Sequence, residues 1–454
     1  MSSMIDSAKR IVEMALKKGA EEAEVFIMKS DGRGFTIEKN SVSSIAGGIE
    51  KGIGIRIIKD KKLGFAYCTE EKKADSALEQ AISLSKLGNE SEFTLPEPDK
   101  IKKIENLYDD RIVSYDDEDA LEGTTTMINS ALEVDSEIVI TRGGVGYGSE
   151  SFAVVNSKGL EMEDAGTEIY ASVSAVLKKN GMSTGFEKFS SRTLDIDYHA
   201  IGRECANLAL KGQNARKIED KEMTVIFTPY ALANLLEFIT APAMYGEAVH
   251  KGESVYTGRI GEQVASEDIT IIDDGMLAGG LNSALVDDEG VPSKRTELIK
   301  KGILQGFLYS QSSAIEFNEQ NTGNAMRAER FGSSRNYKSP PGVKARNIVI
   351  EGKTVKAENL IKEVDEGVLV YEILGAHTSN PASGDFSVTS PILFKIEKGE
   401  FAYPIKSAML SGNFHECLKK VEGVGDDHKL VSGGLTPISF YIPSLSLGKV
   451  RVTG

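Results

Sequence analysis

Tryptophan is absent from the sequence, and cysteine and histidine are scarce, with three and five residues in 454. Cys68, Cys205 and Cys417 lie far apart and form no CxxC pair, which is typical of a reducing compartment and not of a disulfide scaffold. No run of about 18 apolar residues occurs, and the N-terminus lacks the apolar region of a signal peptide. We therefore expect a soluble, cytoplasmic protein without a membrane partner.

Basic residues are also in deficit. The chain has 53 Lys and Arg against 68 Asp and Glu, a formal charge of −15 at pH 7. A nucleic-acid-binding surface needs a basic patch that releases counterions from the phosphates, so this composition argues against a nucleic-acid partner. The chain is also longer than the size at which a single hydrophobic core stops growing, and two domains are expected.

The hydrophobic pattern changes along the chain. The first half mixes helical periodicity with strand-like runs, whereas short apolar runs separated by glycines fill the second half. The predicted fold class is therefore α+β. We place an N-terminal α+β domain of helices and antiparallel strands at residues 1–220, in two modules with a polar connector near residues 89–100. A C-terminal, mostly-β domain follows at residues 221–454.

Turn and cap signals add local predictions. Residues 30–33 (SDGR) predict a turn between two short strands, and residues 40–45 predict one or two helical turns. Residues 137–189 predict a meander of strands. In the second half, Thr228-Pro229 predicts the start of a helix, because proline suits the first helical position.

Residues 375–388 (GAHTSNPASGDFSV) form a polar segment between the apolar runs VLVYEIL and PILFKI. Such a segment is typical of a loop at the edge of a β core, where binding residues concentrate. One interpretation is a base, a nucleophile and an orienting carboxylate: His377, Ser379 or Ser383, and Asp385. The other is turn chemistry, in which Asn380 and the serines bond to their own backbone. We expect a binding surface, because a catalytic triad is defined by geometry and not by local sequence.

Nucleotide and metal motifs are incomplete. Residues 143–148 (GGVGYG) do not match GxGxxG before a helix, and no GxxxxGK[ST] occurs, so no nucleotide site is predicted. His415-Glu416 begins like HExxH, but Lys419 stands where the second histidine belongs. The metal-ligand cluster that the spacing suggests contains His415, Cys417, Asp426, Asp427 and His428.

Longer strings carry a resemblance that covers essentially the whole chain. They are EAEVFIMKSDGRGFTIEKNSVSSI (22–45), KGESVYTGRIGEQVAS (251–266), IIDDG (271–275), DDEGVPSKRTELIKKGIL (287–304), NTGNAMR (321–327), GAHTSNPASGDFSV (375–388) and SGN (411–413). With these strings the sequence resembles the TldD/PmbA family, and more closely its PmbA (TldE) branch.

The TldD subunit of that family resembles a zinc peptidase with His-Glu-x-x-x-His on a helix and a cysteine near the C-terminus. Zinc polarises the peptide carbonyl and its bound water, while the glutamate takes the proton. A five-residue spacing turns about 500° on an ideal α-helix, so the helix must distort to direct both histidines at one ion.

The resemblance places that motif near residues 237–242, counting back from KGESVYTG. This chain has Glu237, Phe238 and Pro242 there, and its glycine-rich tail, residues 432–441, has no cysteine. We therefore expect no zinc or other cofactor in this subunit, and we expect zinc in its partner.

The resemblance implies a heterodimer with a TldD-like, zinc-bearing homologue that processes peptides and degrades unfolded ones; a homodimer is a further option. Peptide contacts would come from residues 375–388 and from a neighbouring face: His377, Ser379, Asn380, Asp385, Asn321, Asn324 and Arg327. Two alternatives stay open. One is a self-sufficient hydrolase using His377, Ser383 and Asp385 or a metal near His415, and the other is a non-enzymatic regulatory binding protein, in line with the family's older label as a modulator of DNA gyrase.

Overall fold

The computed structural model of the chain describes residues 3–329, 332 and 334–454. Helices and strands mix in the first half and strands dominate the second, which confirms the predicted α+β class. Within the described residues, no helix is long and apolar enough to cross a membrane.

The N-terminal part carries long antiparallel strands and helices that pack against them. The strands are β1 (Glu22–Glu38), β2 (Ser41–Lys59), β3 (Lys62–Cys68), β4 (Val139–Asn156), β5 (Glu161–Lys178) and β6 (Met182–Ser191). The helices are α1 (Met4–Lys17), α2 (Ala74–Ser85), α3 (Asp110–Val113), α4 (Asp117–Val134) and α5 (Tyr198–Lys211).

These strands form one sheet in the order β3-β2-β1-β4-β5-β6. The meander at residues 137–189 is confirmed by β4, β5 and β6. The turn predicted at residues 30–33 is wrong: β1 runs through it, because β2 and β4 pair with those residues on both sides. The helical turns predicted at residues 40–45 are also wrong, since β2 begins at Ser41 directly after a tight turn at Lys39 and Asn40, both with positive φ.

The connector after α2 lies against the sheet. The Glu22 carboxylate accepts hydrogen bonds from the hydroxyl of Thr94 and the N–H of Leu95, both at 2.7 Å. Phe93 and Leu95 are buried against Ile58 of β2. Residues 89–100 thus form an extended polar segment along the surface of the sheet. The buried side chains of Phe93 and Leu95 anchor this segment.

The C-terminal part is built mainly from short strands. They are β7 (Lys221–Phe227), β8 (Ile269–Asp274), β9 (Arg295–Lys300), β10 (Ile303–Leu304), β11 (Ala325–Met326), β12 (Gly342–Val343), β13 (Asn347–Gly352), β14 (Thr354–Val355), β15 (Glu366–Leu374), β16 (Asp385–Glu397), β17 (Glu400–Ile405), β18 (Ala408–Asn413), β19 (Val421–Gly425), β20 (Lys429–Ser432), β21 (Ser439–Ile442) and β22 (Leu445–Thr453). The helices are α6 (Pro229–Leu235), α7 (Ala241–Ala243), α8 (Gly246–His250), α9 (Gln311–Phe317), α10 (Ala357–Lys362) and α11 (Phe414–Leu418).

Two larger sheets organise this part. One has the order β10-β9-β8-β13-β21-β20, and the other the order β14-β19-β22-β18-β16-β15-β7. Because β22 also pairs with β7, the strands β22, β18, β16, β15 and β7 form a closed ring. The segment of residues 375–388 connects β15 to β16, so it lies at one end of this ring.

Buried charges join the two parts of the chain. Arg56 of β2 donates to Glu24 of β1 at 2.6 Å and to Glu289 of the C-terminal part at 2.8 Å. The fully buried Arg327 pairs with the other oxygen of Glu24. Arg335 bridges Asp288 at 2.8 Å and Glu150 of β4 at 2.5 Å. Arg56 and Arg335 each connect carboxylates from both parts of the chain, and Arg327 of the C-terminal part pairs with a carboxylate of the N-terminal part.

The Arg56 guanidinium stays charged in this setting. Burial alone lowers its pKa, but the carboxylates of Glu24 and Glu289 outweigh burial and raise the pKa above its ordinary value. Removing one member of such a network leaves the others charged, buried and unpaired, which is costly.

We expect Arg56→Leu to lower the free energy of unfolding by about 3–5 kcal/mol, because the buried carboxylates of Glu24 and Glu289 each lose their ion pair with Arg56. Denaturant unfolding measures this loss. Lys61→Ala, which removes the exposed pair with Glu92, is the control and should leave the midpoint unchanged. Equal effects of the two substitutions would contradict a structural role for the buried network.

Candidate functional site

The helix predicted at Thr228-Pro229 is confirmed: α6 begins at Pro229 and ends at Leu235. It continues directly into a π-helical turn, Leu236–Thr240, and then into α7. A π turn bonds i to i+5 and brings side chains five residues apart closer to one face than an α-helix does. The distortion that the His-Glu-x-x-x-His spacing requires is thus present here, although the histidines are not.

The carboxylate of Glu237, on the π turn, binds the tail of the chain. Its Oε2 accepts from the N–H of Gly434 at 2.8 Å, and its Oε1 accepts from the N–H of Leu435 at 2.9 Å. Oε1 also accepts from the N–H and the hydroxyl of Thr436, at 2.8 and 2.7 Å. Glu237 is only 2% exposed, so these donors replace water as its hydrogen-bond partners.

The donor set at this position does not fit a zinc ion. A protein zinc site needs at least three ligand side chains, and at this position Glu237 is the one side chain of ligand type, with both oxygens held by hydrogen bonds from the tail. The neighbouring Phe238 and Pro242 supply no ligand atoms, and the tail has no cysteine. Across the described part of the chain, no group of three His, Cys, Asp or Glu side chains could hold a metal ion.

The π turn lies beside residues 375–388. The ring of Phe238 packs edge-on against the ring of His377, with the centroids 6.2 Å apart. His377 belongs to a single 3₁₀ turn, Ala376–Thr378, and its side chain is otherwise exposed. The structure therefore places this segment next to the helix to which the resemblance assigns the zinc motif.

Turn chemistry shapes the segment. The Asn380 side chain accepts from the N–H of Ala382 at 3.0 Å and of Ser383 at 3.4 Å, and the N–H of Gly384 donates to the Asn380 carbonyl at 2.8 Å. Asp385 begins β16 and accepts from Asn413 at 2.9 Å. These contacts are those that the turn interpretation predicts.

The structure brings Ser383 and Asp385 together but does not join His377 to them. The Ser383 hydroxyl donates to Asp385 at 2.7 Å, whereas a nucleophilic serine donates to a histidine. No hydrogen bond of the described residues links His377 to Ser379, Ser383 or Asp385. Hydrogen bonds from Ser383 and Asn413 lower the pKa of Asp385, which keeps this exposed carboxylate charged.

His415 lies beneath the segment. Its Nδ1 and the Tyr256 hydroxyl are 2.8 Å apart and hydrogen-bonded. A Cβ at Gly384, where φ is +85°, would lie 2.2 Å from Cδ2 of the imidazole, so glycine is required for this close approach. Burial lowers the pKa of His415 to about 4, and the ring is neutral near pH 7.

The residues of the predicted metal cluster have separate partners. Nε2 of His428 lies 3.1 Å from the carbonyl of Ile350, and Asp427 accepts from the N–H and hydroxyl of Ser444 at 2.9 and 2.6 Å. Burial raises the pKa of the Cys417 thiol to about 11, which disfavours the thiolate that a metal needs. A metal near His415 therefore has no ligand set in the described residues.

The other predicted peptide contacts are Asn321, Asn324 and Arg327. Asn321 donates to Gln311 at 2.9 Å and is partly buried. Asn324 donates to Asp273 at 2.5 Å, and Arg327 belongs to the buried charge network, so both are inaccessible. No hydrogen bond of the described residues joins these three to residues 375–388. Peptide contact through them stays a prediction.

Sequence reasoning missed the contact between Glu237 and the tail. The carboxylate and its donors are 197 to 199 residues apart, and no local pattern connects them. The one available signal was the glycine pair Gly433-Gly434, which leaves backbone N–H groups accessible to an acceptor.

We expect Glu237→Gln to release the tail, because an amide presents one acceptor oxygen and a donor in place of two acceptors. Hydrogen exchange at Gly434, Leu435 and Thr436 should become faster, and the protein should lose about 2 kcal/mol of stability. Glu400→Gln, at an exposed residue of β17, is the matched control. Unchanged exchange at the three amides would contradict the assignment.

His415 predicts a pH dependence. Its pKa is about 4 in the folded protein and about 6.5 when unfolded, so the unfolded chain binds more protons between these values. This contribution to stability is complete above about pH 6.5 and decreases as the pH is lowered, and the loss reaches about 3 kcal/mol at pH 4. His415→Gln removes it, so denaturant unfolding at several pH values should show a shallower slope in the variant. If the stabilities of the wild type and His415→Gln change with pH in parallel, His415 does not cause the pH dependence.

The chain matches known families and proteins along its whole length. Models of the PmbA/TldA metallopeptidase domain 1, central domain and C-terminal domain match residues 23–85, 91–213 and 220–454. An uncharacterized protein of Methanocaldococcus jannaschii is 32% identical over 422 residues, covering 92% of this chain and 94% of that protein. The metalloprotease PmbA of Escherichia coli O157:H7 is 24% identical over 453 residues, covering 94% and 93%.

The fold is also known from a crystal structure. TldE from Thermococcus kodakarensis has a TM-score of 0.91 and 28% sequence identity with this chain, covering 99% of this chain and 100% of that one. These matches confirm the resemblance found in the sequence strings. The chain belongs to the PmbA/TldA metallopeptidase family.

Proposed function

We propose that this chain is the non-zinc partner subunit of a TldD/TldE-type metallopeptidase that acts on peptides and unfolded chains in the cytoplasm. The zinc belongs to a TldD-like homologue, and the two subunits form a heterodimer. The observation that supports this proposal is the Glu237 carboxylate, which binds the tail amides on the π turn to which the resemblance assigns the zinc motif. The relative from Escherichia coli O157:H7 bears the name metalloprotease, which supports the reaction class.

The role of this subunit is to seat the peptide. Residues 375–388 lie at the end of the strand ring and beside the π turn, and they expose an imidazole, an amide and a charged carboxylate at His377, Asn380 and Asp385. These groups can donate to and accept from a peptide backbone without selecting particular side chains. Such contacts suit a peptidase that accepts many sequences.

Reconstitution tests the pairing. The isolated chain should not hydrolyse a casein-derived peptide mixture, and activity should appear only when a homologue with His-Glu-x-x-x-His is added. A chelator should abolish that activity, because zinc activates the water. Chelator-resistant activity of the chain alone, lost in Ser383→Ala, would instead show a self-sufficient hydrolase. Tight binding without activity in any mixture would show a regulatory module.

Substitutions in the segment test the seating role. In the active mixture, Asp385→Asn should lower kcat/KM about tenfold, because a charged acceptor for the peptide is lost. Glu400→Gln, at an exposed residue of β17 outside the segment, is the control and should keep the full rate. Equal rates for Asp385→Asn and the wild type would remove this segment from the substrate site.

A further inference from the structure

The outer edge of β2 has no strand partner over most of its first half. β1 pairs with β2 along its length, but β3 covers only residues 53–59. Among the residues that the structure describes, no strand pairs with the outer side of residues 41–52. The backbone groups on that side are therefore available to another chain.

The hairpin between β2 and β3 defines which residues present those groups. Lys59 and Lys62 flank a two-residue turn with positive φ at Asp60 and Lys61, so they form a hydrogen-bonded pair. Alternate residues back along β2 direct their N–H and C=O to the same side. In the part of β2 that β3 does not cover, the residues that direct their N–H and C=O groups outwards are Ile45, Gly47, Ile49 and Lys51.

This edge has little of the usual protection against pairing. Residues 41–49 (SVSSIAGGI) contain no charged residue and no proline, and the protective features are confined to the two ends of the edge: a register shift opposite Thr36 and Ile37, and the charged Glu50 and Lys51. Ile45 and Ile49 are 59% and 64% exposed, and both lie on one face of the strand. A long, uncharged edge with exposed isoleucines favours the addition of a further strand.

The opposite face of the strand borders a cavity of about 860 Å³. Small residues from neighbouring strands pair across the sheet and line this cavity: Ala46 and Gly34 in one row, and Gly48, Gly32 and Gly148 in the next. A strand added to the edge would direct every second side chain towards this space. Large side chains fit over Gly32, Gly34 and Gly48, which have no side chains of their own, and the rings of Tyr147, Phe152 and Tyr170 supply apolar walls.

Charge and volume favour a foreign, basic peptide over a second copy of the chain. A second β2 would direct only Ser44, Ala46, Gly48 and Glu50 to the cavity, which are too small to fill it. Two copies would each carry a formal charge of −15. The exposed Asp31 lies opposite Ile49 on β1 and has no hydrogen-bond or ion-pair partner among the described residues.

Asp31 is within reach of a basic side chain on an added strand. Adjacent strands are about 4.8 Å apart, so an added strand would lie about 10 Å from β1. The side chains of lysine and aspartate together span that distance.

We propose that the outer edge of β2 at residues 43–51 binds an extended, basic peptide by strand addition, with large apolar side chains over the glycine-lined cavity and a basic side chain at Asp31. This inference rests on the proposed function, because it assigns the edge to a peptide of the class that the heterodimer would hydrolyse. It adds a second contact region to residues 375–388, on the N-terminal sheet.

Fluorescence anisotropy with the isolated chain tests the proposal. The probe is a fluorescein-labelled ten-residue peptide of alternating Leu and Lys, and its comparison is the same peptide N-methylated at alternate amides. Strand addition requires those amides, so methylation should weaken binding about tenfold. Equal affinity for the two peptides, or no binding of the unmethylated probe, would overturn the proposal.

Variants locate the edge. Ile49→Lys should weaken binding about tenfold, whereas Leu210→Lys adds the same charge at a 40% exposed leucine of α5 and should have no effect. Asp31→Asn should weaken binding of the Leu–Lys probe and leave a Leu–Ser probe unaffected. Equal affinities of Ile49→Lys and Leu210→Lys would place the peptide elsewhere.

Analytical sedimentation tests whether a second copy of the chain, and not a peptide, binds the β2 edge. If the wild type is a dimer, Ile49→Lys is a monomer and neither binds the probe, then the edge is a self-interface and the proposal fails. These measurements contain no zinc-bearing homologue. If the mixture with the zinc-bearing homologue shows no peptidase activity, the proposed function is refuted and the binding result stands. If the isolated chain does not bind the probe, the strand-addition proposal is refuted and the proposed function stands.

Discussion

The contact between the Glu237 carboxylate and the tail amides governs the chemistry of this chain. A carboxylate in this position is buried, and its charge is stabilised by three N–H groups and one hydroxyl. The same contact holds the tail against the π turn, which in turn packs against residues 375–388 through Phe238 and His377. Three chain segments meet here, and the described residues contain no group of three His, Cys, Asp or Glu side chains that could hold a metal ion.

The remainder of the structure supplies a rigid scaffold with accessible binding groups. Arg56, Arg327 and Arg335 hold the two parts of the chain together through buried carboxylates. Exposed polar groups of this scaffold include those on residues 375–388 and on the first half of β2. Both regions offer hydrogen-bond donors and acceptors, which is what the proposed binding of an extended peptide requires.

The sequence predicted the fold class, the meander of the first half and the start of α6, because periodicity, turn residues and proline act locally. It failed at residues 30–33 and 40–45. At residues 30–33 the turn signal was overridden by pairing with β2 and with β4, which is distant in sequence. At residues 40–45 the chain reverses after Asn40 and pairs with the end of β1, so the helical signal was overridden by a hairpin. In the candidate site, turn residues Asn380 and Asp385 could be predicted, but the burial of Asn324 and Arg327 could not. Their burial depends on contacts with Asp273 and Glu24.

In the proposed subunit, Glu237 and the tail occupy the place to which the resemblance assigns the zinc motif, so no metal binds there. Crystals of the isolated chain soaked in zinc, measured for anomalous scattering at the zinc edge, are the decisive test. We expect no anomalous peak beside Glu237, with its carboxylate still bound to Gly434, Leu435 and Thr436. A fully occupied zinc held at that position by side chains of this chain would contradict it.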